Sequence, residues 1–398
     1  MGCILTAKRL LLPDGELEHG AVLVKDGRIA AVGTAEEFGG VDLPLLDCGE
    51  HILSPGFFDL HIHGCMGRVA DESEEAVNLL AGYLPQTGTT SFLATAMTAR
   101  GCKHASSAIA AQRAGKAPGA VIRGIYMEGP FLSPRKLAGA EGADQDIVPP
   151  SLPALEEILA LGDGNIRVMG LGVELDGANE VMRVLKSRGI VVSAAHTRAE
   201  YADVLVAKTN GLTHATHLYN VMSGLHHRRP GVVGAVLTSD DITTELICDG
   251  VHLHPAAIEV ALRCKGSDRI AMITDMTLGG LPDGDYDNGT VQIEVRDNIA
   301  RFKGADPEAD HALAGSTRPM LSGIKTVVSL GYPLFEAVKM ASLTPAKIVG
   351  LDAEIGSIAV GKGADFAVFD EAFSPVMTMI RGEIAFQRED SHCRKWQA

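Results

Sequence analysis

Apolar residues follow two rhythms along this chain. At both ends they form short runs broken by turn signals; through the long middle they form buried runs separated by helical stretches. Gly20 to Gly33 is apolar, turns at Asp26-Gly27 and resumes as Arg28-Ile29-Ala30-Ala31-Val32. An Asp-Gly pair between strand-like runs predicts a hairpin. Near the other end, Ile358-Ala359-Val360 leads through Gly361-Lys362-Gly363 into Asp365-Phe366-Ala367-Val368-Phe369, and Met377 to Ile380 turns at Arg381-Gly382 into Ile384-Ala385-Phe386. Chain ends often lie close together. The pattern therefore predicts one small sheet domain built from both ends, residues 1–53 and 355–398.

Eight buried-strand candidates occupy the middle: Phe57–His63, Thr90–Thr98, Val121–Glu128, Arg167–Leu175, Ile190–His196, Gly211–His217, Thr243–Asp249 and Arg269–Asp275. Helical stretches such as Ser73–Leu84, Ala178–Arg188 and Pro255–Arg263 separate them. Regular alternation implies a parallel sheet with crossover helices, and eight units close into a (β/α)8 TIM-like barrel over residues 54–354. An open doubly wound sheet is the alternative, but it would carry a glycine-rich phosphate fingerprint after its first strand; here that strand ends in histidines. Val291–Val295 and Ala300–Lys303 predict a β-hairpin insertion near 281–312, and Leu321–Leu330 and Pro333–Gly350 read as helical.

Composition narrows the function. A net charge of −15 repels phosphate backbones, which argues against nucleic acid as a partner. No apolar run is long enough to span a membrane. The seven cysteines are scattered without a CxxC pair, as expected of reduced thiols in a cytoplasmic protein. The start, Met1-Gly2-Cys3-Ile4-Leu5-Thr6, fits a loose lipidation pattern. It reads better as a strand, and Lys8 and Arg9 interrupt it too soon for a secretory signal.

Polar residues at the C-terminal ends of barrel strands converge on one mouth. The first strand ends His61-Ile62-His63, an i, i+2 pair whose rings share a face and can share a metal. The third ends at Glu128, the fifth at His196, the sixth at His217 and the eighth at Asp275. A lone strand-end histidine is more often structural, and a lone buried glutamate is costly. Four histidines and two carboxylates at corresponding strand ends point instead to a metal site.

Pro55-Gly56-Phe57-Phe58-Asp59-Leu60-His61-Ile62-His63-Gly64 resembles the opening signature of the amidohydrolase superfamily. Met127-Glu128-Gly129-Pro130-Phe131-Leu132 and His217-Leu218-Tyr219-Asn220-Val221-Met222 narrow the resemblance to its amino-sugar-phosphate deacetylases. So do Arg228-Arg229-Pro230-Gly231, Asp249-Gly250-Val251-His252, Thr274-Asp275 and Leu313-Ala314-Gly315-Ser316. The resemblance implies that the two chain ends form the superfamily's small β-sandwich domain, and that the reaction is hydrolysis of the acetamide of N-acetylglucosamine 6-phosphate. Glu128, His196 and His217 would hold a principal divalent transition metal (Zn, Fe, Mn or Co). His61 and His63 would hold a second, with Glu128 bridging. Such an ion lowers the pKa of water towards about 7. Asp275 would take the water's proton and return it to the leaving amine; its alternative role is a helix cap beside Thr277.

For the substrate, the resemblance implies that Arg228, from the neighbouring subunit of a homodimer, and the amides of Asn220 and Val221 bind phosphate. His252 would contact a sugar hydroxyl, and Leu313, Ala314, Gly315 and Ser316 would cover the acetamide. His226-His227-Arg228-Arg229 gives an acidic chain the local cations an anionic substrate needs. Three features depart from the family pattern. Leu171-Gly172-Val173-Glu174 replaces an Ala-Pro-Glu run, Glu141 stands where a His or Gln near the acetamide is usual, and Arg318-Pro319 follows the Ser316 loop. They leave the exact amide open, so the alternatives are an N-acetylgalactosamine-6-phosphate deacetylase, an N-acyl amino acid hydrolase or a cyclic amide hydrolase. A non-enzymatic barrel would be expected to lose ligands that are all present here.

Overall fold

A computed structural model describes residues 2–134, 146–287, 292–304, 313–389 and 393–395. Eight strands pair in parallel in chain order: Phe57–Ile62, Thr89–Ala96, Val121–Glu128, Ile166–Leu171, Val191–Ala194, Leu212–Ala215, Thr243–Ile247 and Ile270–Ile273. Backbone bonds between the last and first strands close the ring: Asp275 N to His61 O at 3.0 Å, and His63 N and Gly64 N to Met276 O, each at 2.9 Å. This is the (β/α)8 barrel expected. Its strands are covered on both faces; every residue of Phe57–Ile62 and Thr89–Ala96 is buried.

The helices obey ordinary amphipathic logic. Ala178–Ser187 buries Ala178, Val181, Met182 and Leu185, the i, i+3, i+4, i+7 stripe of a helix lying on a sheet. Ser73 caps the helix Glu74–Tyr83 by accepting from Ala76 N at 3.2 Å, and Thr98 caps Ala99–Arg113 by accepting from Gly101 N at 2.9 Å. Each such cap contributes about 1 kcal/mol. No helix among the described residues is long and apolar enough to cross a membrane.

Inside the barrel, Phe58, Leu60, Leu93, Tyr126, Val168, Ile247, Ala271 and Ile273 form one cluster with Ala346, Val349 and Ile355. Phe58 N donates to Ala341 O at 2.9 Å, so the segment around the short helix Leu343–Ile348 closes the N-terminal end of the barrel. That floor is apolar, and each large side chain buried there is worth roughly 1.5–3 kcal/mol.

The chain ends build a separate nine-stranded sheet. Its long first strand, Gly2–Leu12, pairs with Gly15–Lys25 along one edge. On its other edge, Ile4 to Thr6 run parallel to Leu45–Asp47, and Arg9 and Leu10 run parallel to Ile52–Pro55. Ile52–Pro55 in turn pairs with Phe366–Phe369, and Leu45–Asp47 with Arg394–Lys395. Leu5, Leu10, Val22, Phe366 and Val376 lie in the shared core. A buried Arg123–Asp365 pair at 3.2 Å joins this sheet to the barrel.

The insertion after the eighth strand has three antiparallel strands, Gly284–Asp287, Gln292–Arg296 and Ile299–Phe302, one more than the expected hairpin. The additional strand reads Gly-Asp-Tyr-Asp and buries none of its residues, so it carries no apolar signal. Ala314 N donates to Ala300 O at 3.1 Å, which attaches the insertion to the Leu313–Ser316 loop.

Candidate metal centre

The barrel strands stop just short of the residues that carry the chemistry. Sequence patterning ran three of them through to His196, His217 and Asp275, but their ladders end two residues earlier, at Ala194, Ala215 and Ile273. All three residues sit in left-handed backbone, with φ of 42°, 26° and 49°. A non-glycine residue pays roughly 1–2 kcal/mol for that conformation, and such strain collects where a side chain must be aimed. Here it turns the side chains off the strand line towards the barrel axis. His61 and Glu128 remain on their strands, and His63 lies one residue past its own.

The six side chains meet. Glu128 Oε1 stands 2.6 Å from His196 Nε2 and 2.8 Å from His217 Nε2, and those nitrogens are 3.0 Å apart. Glu128 Oε2 stands 3.1 Å from His63 Nε2 and 3.4 Å from His61 Nε2, and that pair is separated by 3.2 Å. Asp275 Oδ1 faces the second pair, at 3.2 Å from His63 and 3.7 Å from His61. One carboxylate is thus divided between two histidine pairs.

This donor set fits a cation. Like-facing imidazole nitrogens beside a carboxylate oxygen repel unless positive charge lies between them. Atoms 2.6 to 3.0 Å apart can all stand about 2.0–2.2 Å from a common point, the usual metal–nitrogen and metal–carboxylate distance. Two such groups are present, His61 with His63 and Glu128, and Glu128 with His196 and His217. Nitrogen with carboxylate suits Zn, Fe, Mn or Co. With protons as the only cations, burial opposes charging His61 and His63. Glu128 and Glu245 nevertheless raise His61 well above its ordinary value, and Asp275 and Glu128 bring His63 to about 9. Burial likewise opposes ionisation of Glu128 and Asp275, yet the histidines hold Glu128 far below and Asp275 below the usual carboxylate range. Asp275 is the more open of the two acids, 17% exposed against 4% for Glu128.

Behind these groups stands a residue that sequence patterning did not single out. Glu245, fully buried in Thr243–Ile247, accepts from His217 N at 3.0 Å and contacts His61 Nδ1 at 3.0 Å and His214 Nε2 at 3.1 Å. It fixes which nitrogen of His61 faces Glu128. The available signal was a charged residue inside a strand otherwise fit for full burial, which demands partners. Asp59 is a second case: its Oδ2 accepts from Thr274 Oγ1 at 2.5 Å, and burial pushes its carboxyl up to about 7.

Of the residues expected to meet substrate, Ser316 is tied to Asp275 and, through Asp249, to His252. Asp249 accepts from Val251 N and His252 N at 2.9 Å and binds His252 Nδ1 at 2.8 Å, which orients that imidazole. Ser316 Oγ reaches Asp249 Oδ2 at 3.3 Å, and Ser316 N donates to Asp275 O at 2.9 Å. Gly315 has a φ of 71°, and a Cβ there would fall 2.2 Å from Thr277 Oγ1, so only glycine fits. Leu313 is half-buried, and Ala314 joins the core of the insertion. Asn220 N donates to His217 O at 2.9 Å in the turn that carries the exposed Val221. Arg228 is exposed in the turn closed by His226 and Arg229. Glu141 lies outside the described residues.

The remaining departures have local roles. Glu174 accepts from Ser133 Oγ at 2.5 Å, from Arg198 N at 2.6 Å and from Thr197 Oγ1, tying together the loops after the third and fifth strands beside His196. Arg318 donates through Nη1 to Asp249 O at 3.1 Å. Cys65 is buried, and burial pushes its thiol up to about 12, as for an inert packing residue.

Residues 52–385 match the model of the Amidohydrolase family. The chain is 35% identical over 379 residues to an N-acetylglucosamine-6-phosphate deacetylase of Bacillus subtilis (strain 168), covering 93% of each. It is 33% identical over 393 residues to an N-acetylgalactosamine-6-phosphate deacetylase of Escherichia coli O157:H7, covering 96% of this chain and 99% of the relative. Its structure is similar to that of a mutant N-acetyl-D-glucosamine-6-phosphate deacetylase from Mycobacterium smegmatis in complex with N-acetyl-D-glucosamine-6-phosphate. That likeness has a TM-score of 0.87 and 29% identity, and it covers 97% of this chain and 100% of that one.

Proposed function

We propose, for a chain that belongs to the amidohydrolase family, the hydrolysis of N-acetylglucosamine 6-phosphate to glucosamine 6-phosphate and acetate. The observation that carries this reading is the sharing of Glu128 between His196 with His217 and His61 with His63, with Asp275 beside them. Glu128, His196 and His217 would hold the principal divalent transition ion, and His61 and His63 a second. When bound, such an ion supplies Lewis acidity and lowers the pKa of water towards about 7. Asp275, whose Oδ1 stands 3.2 Å from His63 Nε2, accepts a proton as water attacks the acetyl carbon. It then passes that proton to the amine nitrogen as the carbon–nitrogen bond breaks, so a neutral amine and acetic acid leave, and the acid ionises to acetate in water. His252, set by Asp249, contacts a sugar hydroxyl, and Leu313 to Ser316 border the acetamide.

Arg228 and the backbone at Asn220 and Val221 take the phosphate in this reading, with Arg228 crossing into a partner subunit. Exposed Leu225 and Val221, 60% and 39% accessible beside Arg228, support burial of that face in a homodimer. A strictly monomeric enzyme with undiminished preference for phosphorylated substrate would refute this arrangement. The likeness to an N-acetylgalactosamine-6-phosphate deacetylase supports the 4-epimer as a second reading. Acetate release from both 6-phosphates, their unphosphorylated sugars and N-acetyl amino acids tests the assignment. The fastest turnover is expected with N-acetylglucosamine 6-phosphate, and release confined to the amino acids would end the proposal.

A further inference from the structure

Leu46, Asp47 and Cys48 alternate in, out and in: Leu46 and Cys48 are buried and Asp47 is exposed. The last described strand pairs antiparallel with this segment, Arg394 opposite Asp47 and Lys395 opposite Leu46. That register carries Cys393 directly opposite Cys48. Both cysteines are buried in the core of the end sheet. Two backbone bonds fix the kind of pair they make. Cys48 N donates to Thr6 O at 2.8 Å, so its backbone faces the first strand and not the last. Cys393 O accepts from Gln387 Nε2 at 2.8 Å, so it too faces away. Opposed residues that do not bond each other's backbone have Cα atoms about 4.5 Å apart and the closest side chains in an antiparallel pair. That spacing lies within the roughly 4.4–6.8 Å that a disulfide spans.

We infer that Cys48 and Cys393 are an oxidation site, at which a peroxide joins the two thiols and staples the C-terminal segment to Leu45–Asp47. The register sets the two thiols side by side. Hydrogen bonding from Cys48 lowers the Cys393 thiol, while the same bond, followed by burial, raises that of Cys48 well above the ordinary range. Cys393 is therefore the attacking thiolate. It takes one peroxide oxygen, the O–O bond breaks, and the departing hydroxide gains a proton to become water. Cys48 sulfur then attacks Cys393 sulfur, the S–O bond of the sulfenic acid breaks, and a second water leaves. Two thiols lose two hydrogens and one peroxide becomes two waters. Access comes through local opening of a ladder only two residues long. Cys102, by contrast, points its thiol at Ile158 O, 3.7 Å away.

The test treats the full-length protein with hydrogen peroxide, alkylates the remaining thiols and maps peptides without reduction. One linked pair holding Cys48 and Cys393 is expected, with a mass lower by two hydrogens. A rise in Tm of roughly 2–4 °C, reversed by dithiothreitol, should accompany it. Cys393→Ala should abolish both the link and the rise, and Cys48→Ala serves as the second variant. Exposed Cys264 is the positive control for oxidation. Recovery of Cys48 and Cys393 as thiols while Cys264 is oxidised would overturn the inference, as would linkage of either to another cysteine or a link that leaves Tm unchanged.

Discussion

The two ends of the barrel are made by the same strands and do opposite work. At the N-terminal floor, Phe58, Leu60 and Ala271 pack with Ala346, Val349 and Ile355 in an apolar cluster. At the C-terminal mouth, strands beginning on that floor deliver four histidines and two carboxylates into mutual contact. The floor gains free energy by removing surface from water. The mouth gathers charges whose desolvation can exceed their mutual attraction, and it holds three residues in left-handed backbone. Stability and chemistry thus occupy separate ends of one element, and the floor offsets the cost of the mouth.

Substitutions at either end should separate these roles. Glu128→Gln removes the charge shared by both histidine pairs, so metal content and activity should both be lost. The fall should be at least about a thousandfold, beyond the 10–100-fold typical of an outer partner; a metal-loaded, active variant would dissolve the contrast. Asp275→Asn should lower kcat by roughly 10²–10⁴ while elemental analysis still finds metal. At the floor, Phe58→Ala should cost about 3–5 kcal/mol in denaturant unfolding and leave kcat per folded molecule unchanged. A specific loss of kcat there would show that the two ends are not separable. Glu245→Gln sharpens the boundary between them. It should weaken metal affinity by about 10–100-fold, read by competition with a chelator.

The mouth was more legible in the sequence than its supports. His61, His63, Glu128, His196, His217 and Asp275 were visible because strand ends are marked by the change from apolar to polar residues. Glu245 was hidden because it sits mid-strand, away from the strand end, where its contacts with His61, His214 and His217 depend on the closed ring. The left-handed turns at His196, His217 and Asp275 were hidden because none of them is a glycine. Gly284–Asp287 was invisible because it buries nothing. The pairing of Leu45–Asp47 with Arg394–Lys395 was beyond local pattern, because nothing near either segment specifies a partner so far along the chain.

That distance also sets the order of assembly. Ser54 Oγ donates to the carbonyl of Ala367, 313 positions later, across the joint that completes the end sheet. During synthesis Leu45–Asp47 and Ile52–Pro55 must therefore wait on the order of tens of seconds for their last partners to leave the ribosome. Throughout that interval Leu45–Asp47 and Ile52–Pro55 expose the edges that Arg394–Lys395 and Phe366–Phe369 later cover, so this part of the sheet is the one most in need of a chaperone.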